Sequence, residues 1–136
     1  MCLFCNITKG EIPAQIIYED KNVLAFLDVN PIAPGHTLVV PKKHSVTLTD
    51  LPDNLLEPLF SSVKRVMGML ERGVGTNHFT IGINSGRLSG QEVDHLHVHI
   101  IPRFEGDGGG SLQTVVQNSP DKDISDIKER ILKANG

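Results

Sequence analysis

Tryptophan is absent, and aromatic residues make up only 4% of the 136-residue chain, one Tyr and five Phe. That scarcity excludes the aromatic stacking platforms on which single-stranded nucleic acid is held. Basic residues are not in excess either: 13 Lys and Arg face 16 Asp and Glu, a net charge of −3. Nucleic-acid binding by counterion release is therefore not expected, although a small anion is still held by local groups. No apolar run approaches the ~18 residues of a membrane span. The first residues carry no basic stretch followed by an apolar one and a small-residue cleavage site. A cytoplasmic protein with neither nucleic acid nor membrane as partner is the expectation. Cysteine is nearly lacking too. The two present, Cys2 and Cys5, form one Cys-x-x-Cys, which in a reducing compartment favours a metal clip or a redox pair over a structural disulfide.

What is present is ordinary globular material, 39% hydrophobic and 21% charged, of a length that fits one domain with a real core. Leu3, Phe4 and Ile7 fall at helical spacing in a short lead-in that ends before Pro13. Ile16–Glu19 and Val23–Leu27, joined by Asp20-Lys21-Asn22, predict a hairpin. A breaker-rich loop, Asn30–Gly35, feeds a strand over His36–Pro41. Asp50-Leu51-Pro52-Asp53 opens the main helix, with Asp50 or Asp53 as its cap and Pro52 in its first turn. Leu55, Leu56, Leu59, Phe60, Val63, Val66, Met67 and Leu70 give that helix its apolar stripe, and Gly73 and Gly75 stop it. Strands follow over Phe79–Ile83 and His95–Pro102, then a glycine-rich segment, Glu105–Ser111, and a terminal helix over Ile124–Lys133. Strands separated by turns outnumber helices, so the fold class is α+β, an antiparallel sheet with helices packed on it.

Half of the six histidines stand in five residues, His95-Leu96-His97-Val98-His99. On a strand, positions i, i+2 and i+4 share a face, so three imidazoles line one surface while Leu96, Val98 and Ile100 enter the core. Such a cluster marks a metal or catalytic site more often than a bland amphipathic strand. His36 and His44 flank the strand Thr37–Pro41 and are candidates to join that site; His78 stands apart and reads as structural. Cys2 and Cys5 supply half of a tetrahedral Cys₂His₂ set if two histidines complete it. Asp28, at a strand end, suits a ribose diol or an Asx-type turn.

These residues resemble the histidine triad (HIT) superfamily, defined by His-φ-His-φ-His-φ-φ with φ apolar. Here it reads His95-Leu96-His97-Val98-His99-Ile100-Ile101. The likeness runs over roughly the first 105 residues. It takes in Cys-x-x-Cys, Gly10-Glu11-Ile12-Pro13-Ala14, Ala25-Phe26-Leu27-Asp28, Pro34-Gly35-His36, Pro41-Lys42-Lys43-His44, Asn84-Ser85-Gly86 and Gly90-Gln91-Glu92-Val93. The bacterial and archaeal Hint-like branch is the most similar. The resemblance implies a homodimer in which each chain carries a five-stranded antiparallel sheet, one long helix and a C-terminal helix. Residues 1–105 would be the HIT domain, and 106–136 an extension packed on it.

It implies a hydrolase of purine nucleoside 5′-phosphate adducts, phosphoramidates in particular, with His97 as nucleophile and His99 and His36 assisting. The alternatives are a dinucleoside polyphosphate hydrolase or nucleotidyltransferase, and, outside enzymes, a nucleotide-binding regulatory protein with incidental turnover. By resemblance, Leu3, Phe4, Ile7, Ile12, Phe26 and Val29 build the base pocket and Asp28 binds the ribose. Asn84, Gln91, Val93, His97 and His99 meet the phosphate. Zinc-containing members imply a structural Zn²⁺ on Cys2, Cys5, His44 and His95, at the entry edge of the triad strand. Glu92 stands where animal Hint proteins have serine, which bears on how an amine leaving group is protonated.

Overall fold

Asp20 closes the first hairpin with its own carboxylate, whose Oδ1 accepts the backbone N–H groups of Asn22 and Val23, each at 2.8 Å. The computed structural model describes residues 1–121 and 123–136. Along the chain come helix α1 (Leu3–Thr8), strands β1 (Ile16–Glu19), β2 (Val23–Leu27) and β3 (Thr37–Pro41), and helix α2 (Leu56–Val74). Strands β4 (Phe79–Gly82) and β5 (Val98–Pro102) and helix α3 (Ile124–Asn135) follow. The strands form one antiparallel sheet in the order β1-β2-β3-β5-β4, as expected of the α+β reading.

The two-residue period of the strands divides the core into two layers. Val23, Ala25, Val39, Val98 and Ile100 face α2 and pack with Leu59, Val63, Val66 and Leu70. Leu24, Phe26, Leu38 and Val40 face the other way and are covered by Phe4 and Ile7 of α1. The register runs Phe26–Leu38–His99–Gly82 across four strands, which places His99 on the α1 face. Each buried aliphatic side chain of α2 contributes on the order of 1.5–3 kcal/mol, so that helix is the main weight on the sheet.

Helix α2 and its approach differ in detail from the sequence expectations. Asp50 closes a separate 3₁₀ turn, Leu48–Asp50, through a capping box with Thr47. A second 3₁₀ turn, Asp53–Leu55, then leads into α2, whose first turn holds Pro58 instead of Pro52. Gly73 lies inside α2, and Gly75 alone ends it, in the left-handed conformation at φ 81°. Phe60 is off the stripe and 42% exposed.

The last strand begins at Val98, three residues later than expected. The pairs Thr37–Ile100 and Val39–Val98 would next set Pro41 opposite Leu96. Proline has no N–H to donate, so the ladder stops there. Leu96 donates instead to the Ser45 carbonyl at 2.7 Å, and His95, at the end of a bend, and His97 sit just outside the regular sheet.

Of the segment expected to pack on the domain, residues 107–110 meet Arg103, which donates to the Gly110 carbonyl at 2.7 Å and pairs with Asp107 at 2.7 Å. Helix α3 buries none of its residues, and Ile124, Ile131 and Leu132 are all exposed. Its amphipathic face has no complement in its own sheet, because α2 already covers one layer and α1 the other. Among the described residues no helix is long and apolar enough to cross a membrane.

Candidate functional site

All three triad imidazoles come together on the α1 face. Phe4 stands edge-on against two of them, its ring centroid 5.9 Å from His95 and 5.1 Å from His97. His97 and His99 follow at 5.0 Å. Each ring is fixed by a different partner, and the partners define the tautomers because a carbonyl only accepts and an amide N–H only donates.

His97 donates from Nδ1 to the backbone carbonyl of His95 at 2.7 Å, which leaves the lone pair on Nε2. His95 donates from Nε2 to the carbonyl of Pro41 at 2.8 Å, which leaves its lone pair on Nδ1. The Pro41 carbonyl thus serves the ring that the broken ladder brings opposite it. In His36, Nδ1 accepts the N–H of Ile32 at 3.3 Å, so Nε2 carries the proton and donates it to His99 Nδ1 at 2.9 Å. His99 is then left with its proton on Nε2. The site therefore offers one basic ring nitrogen on His97 beside one N–H donor on His99. That pair is suited to attack phosphorus and to hold a phosphoryl oxygen.

Burial favours the neutral form of His36, His95 and His99. It lowers His36 below the usual imidazole range, against the opposing charge of Asp28. His99 is pushed down to about 4, by burial first and then by His97 and His36. His95 is lowered chiefly by burial, its bond to Pro41 opposing.

His36 is set in place by Gly35, which lies at φ 85°. A Cβ there would come within 3.1 Å of Val74 Cγ1 and 3.2 Å of Pro102 Cγ, so only glycine fits both the turn and the gap. Asp28 is held at the other end of the same loop. Its Oδ1 accepts the N–H of Asn30 at 2.9 Å, and Oδ2 lies 3.6 Å from His36 Nε2. Asp28 and His36 line an open cleft of about 440 Å³ with Leu27, Ile32, Pro34 and Gly35. The role of this loop, and of the Ile32 N–H above all, was not visible in sequence; Pro34-Gly35-His36 was its only signal.

Among the residues expected at the base, Phe4, Ile7 and Phe26 are buried in one apolar cluster, with half-buried Ile12 and Val93 packed against it, a floor for the site. Leu3, 46% exposed, and Val29, 83% exposed, stand free at its rim. Asn84 is exposed. Gln91 is placed differently from the expectation. It is buried, its Nε2 donates to the carbonyls of Val46 and Val93, and its Oε1 accepts the N–H of Gly86. With those bonds made, its side chain ties the 84–93 loop together and to Val46.

A second cluster adjoins the first. The donor atoms of Cys2, Cys5, His44 and His95 lie within 4.8 Å of one another. His44 Nδ1 and His95 Nδ1 are 3.3 Å apart, Cys2 Sγ and Cys5 Sγ lie 3.3 and 3.5 Å from His95 Nδ1, and Cys5 Sγ is 3.3 Å from His44 Nδ1. Tetrahedral zinc with nitrogen ligands at about 2.05 Å and sulfur at about 2.3 Å sets ligand–ligand edges of roughly 3.3 and 3.5 Å. The lone pair on His95 Nδ1 also points its ring into this cluster as an acceptor. Without a cation, burial and then the neighbouring Cys2 sulfur push the Cys5 thiol up. The residues fit a metal ion. Asp28, His36 and His99 also bring donor atoms within 4.8 Å, but His36 Nε2 already holds a proton shared with His99. That group is a hydrogen-bond chain and lacks the free lone pairs of a metal site.

An α+β domain whose sheet presents three neighbouring imidazoles on one face, above a four-donor cluster, is a histidine triad protein. The HIT domain profile matches residues 9–106. The chain belongs to the HIT family. It is 53% identical over 108 residues to an uncharacterised HIT-like protein of Methanocaldococcus jannaschii, covering 79% of this chain and 83% of that one. It is 39% identical over 108 residues to the adenosine 5′-monophosphoramidase of Saccharomyces cerevisiae, covering 79% and 66%. A crystal structure from Streptococcus mutans superposes with a TM-score of 0.88 at 35% identity, over 99% of this chain and 85% of that one. A zinc-bound histidine triad family protein from Mycobacterium smegmatis superposes with a TM-score of 0.75 at 38% identity, over 88% and 84%.

Proposed function

We propose that this chain is a HIT-family hydrolase of purine nucleoside 5′-phosphate adducts, phosphoramidates foremost, working through a nucleotidyl intermediate on His97. The observation that carries the reading is the 2.7 Å bond from His97 Nδ1 to the His95 carbonyl, because it fixes the tautomer with a basic Nε2. That nitrogen attacks the α-phosphorus; the bond from phosphorus to the leaving amine breaks, and the amine leaves with the electron pair and takes a proton from water. A second water then attacks phosphorus and gives its proton to the hydroxide left by the first, the P–Nε2 bond breaks, and the nucleoside monophosphate departs with the imidazole restored. His99 Nε2–H and, around it, Asn84 and backbone N–H groups of the 84–93 loop steady the phosphoryl oxygens. Asp28 takes the ribose hydroxyls on its outer lone pairs. Phe4, Ile7, Ile12 and Phe26 floor the base, with Leu3 and Val29 closing over it. The named activity of the yeast relative supports the substrate class.

Cys2, Cys5, His44 and His95 would hold one structural Zn²⁺. Held there, it would tie α1 to the end of the triad strand and would supply no Lewis acid to the phosphate, because four protein ligands would leave no open position. The zinc-bound mycobacterial relative supports that choice of metal. The working unit is a homodimer in the cytoplasm. Turnover of adenosine and guanosine 5′-phosphoramidates, dinucleoside polyphosphates and other adenylates by the purified chain tests the reading, with intact mass on quenched samples. A nucleotidyl adduct mapped to His97 and preferred turnover of phosphoramidates are expected. Turnover confined to polyphosphates, or no adduct at any substrate, overturns it.

A further inference from the structure

His95 faces two ways. Its ring nitrogen Nδ1 belongs to the four-donor cluster, and its backbone carbonyl is the acceptor that holds His97. Phe4 supplies a second link, since it lies between Cys2 and Cys5 in the chain and its ring touches both His95 and His97. Whatever disturbs the two sulfurs therefore reaches His97 by two short routes.

The sulfurs are arranged to be disturbed. Cys2 Sγ accepts the N–H of Cys5 at 3.4 Å, and the two sulfurs lie within 4.8 Å of each other. Both residues are half-buried and both are free thiols. Cys2 sits at the N-cap of α1 with extended backbone, φ −101° and ψ 122°, so it turns toward Cys5 without unwinding the helix. The sulfur of Cys5 lies against His44, an exposed residue, which gives a small oxidant a way in.

We propose that Cys2 and Cys5 are an oxidation site for hydroperoxides, and that closing their disulfide empties the metal cluster and slackens His97. This rests on the reading of that cluster as a zinc centre and of His97 as the nucleophile. One thiolate sulfur attacks a peroxide oxygen; the O–O bond breaks, leaving a sulfenic acid and hydroxide. The second thiolate attacks that sulfur, the S–O bond breaks, and a disulfide forms with release of a second hydroxide. The sulfurs lose two electrons, the peroxide gains them, and two protons from solvent complete two waters. A disulfide sulfur is not a thiolate ligand, so two of four donors are lost in one event.

The test uses the full-length zinc-loaded chain, titrated with hydrogen peroxide. Peptide mapping follows the Cys2–Cys5 disulfide, a chromogenic chelator follows released zinc, and hydrolysis of adenosine 5′-phosphoramidate follows turnover. Disulfide and free zinc are expected to rise in equal proportion while turnover falls by about tenfold, the usual effect of disturbing groups that orient a site. Dithiothreitol with added zinc restores all three. A Cys2→His/Cys5→His double variant has no thiol pair; whatever zinc and turnover it starts with are expected to stay unchanged when the same peroxide is added. Zinc retained while turnover falls overturns the proposal, and so does a disulfide formed with turnover unchanged. Should the double variant not load zinc, the wild-type time courses decide, and disulfide formation that lags the loss of turnover counts against it. A metal-free and fully active chain as purified overturns the zinc reading instead, and turnover kept by His97→Ala overturns the nucleophile.

Discussion

On one side of His97, Cys2, Cys5, His44 and His95 converge; on the other, Asp28, His36 and His99 bring their donor atoms equally close, within 4.8 Å in both cases. Proximity does not separate these clusters, but protons do. In the first, the His95 ring has given its N–H to Pro41 and turns a lone pair inward toward two sulfurs and a second imidazole. Such a set could hold a cation. In the second, each group meets one of opposite kind: the Ile32 N–H meets His36 Nδ1, and His36 Nε2–H meets His99 Nδ1. That set is already satisfied. Backbone groups decide the matter in both cases, since a single carbonyl or amide fixes which ring nitrogen is free.

His97 stands between the two clusters, and its removal is expected to have the largest effect. His97→Ala should lower turnover by at least about 10³-fold while nucleotide affinity changes little, because the phosphate keeps its other contacts. Single-turnover kinetics and equilibrium titration of the same variant check this, and near-normal turnover would sink the covalent route.

The next prediction breaks the comparison directly. Cys5→Ser should lose the metal, lower the melting temperature by at least about 5 °C and raise KM, because α1 is released from the sheet. His36→Gln should keep one zinc per chain and lower kcat about tenfold, since His99 loses the partner that orients it. Elemental analysis and calorimetry of the two variants side by side are the measurement. Zinc lost from His36→Gln, or a second ion bound in the wild type, would show that the proton argument fails.

Asp28→Ala is expected to be milder. One carboxylate oxygen is committed to the Asn30 N–H, so the loss in ribonucleotide affinity should lie near 1.5 kcal/mol, the lower end for hydrogen bonds to a charged group. A 2′,3′-dideoxy analogue should be hardly affected, and equal losses for both ligands would leave Asp28 as a turn former.

The smallest expected effect is on stability against pH. Burial holds the folded His99 near 4 and lowers His36 as well, whereas in the unfolded chain imidazole titrates near ~6.5. Folding thus favours the neutral rings. Their contribution is fully present above the unfolded value and is lost as pH falls through the folded ones, because the unfolded chain takes up protons first. Denaturant midpoints between neutrality and pH 4 should therefore fall in wild type, and less steeply in a His99→Gln variant.

Sequence by itself determined the fold class, the hairpin, the long helix and the face on which the triad lies. Those follow from periods of 2 and 3.6 that any solvent-facing element must obey. It also marked Cys-x-x-Cys, with histidines elsewhere, as donors able to form half of a metal site, because ligand chemistry resides in residue type, and the four donor atoms do converge. It did not give the start of the last strand, which Pro41 sets from across the sheet, nor the end of α2 at Gly75 instead of Gly73. The placement of Gln91 was equally hidden, since its three bonds go to backbone groups of Val46, Gly86 and Val93 that lie apart in the chain. Only tertiary structure decided which nitrogen of each histidine is free. A ring tautomer depends on the single atom that faces it, and for His95 that atom comes from Pro41, 54 positions away.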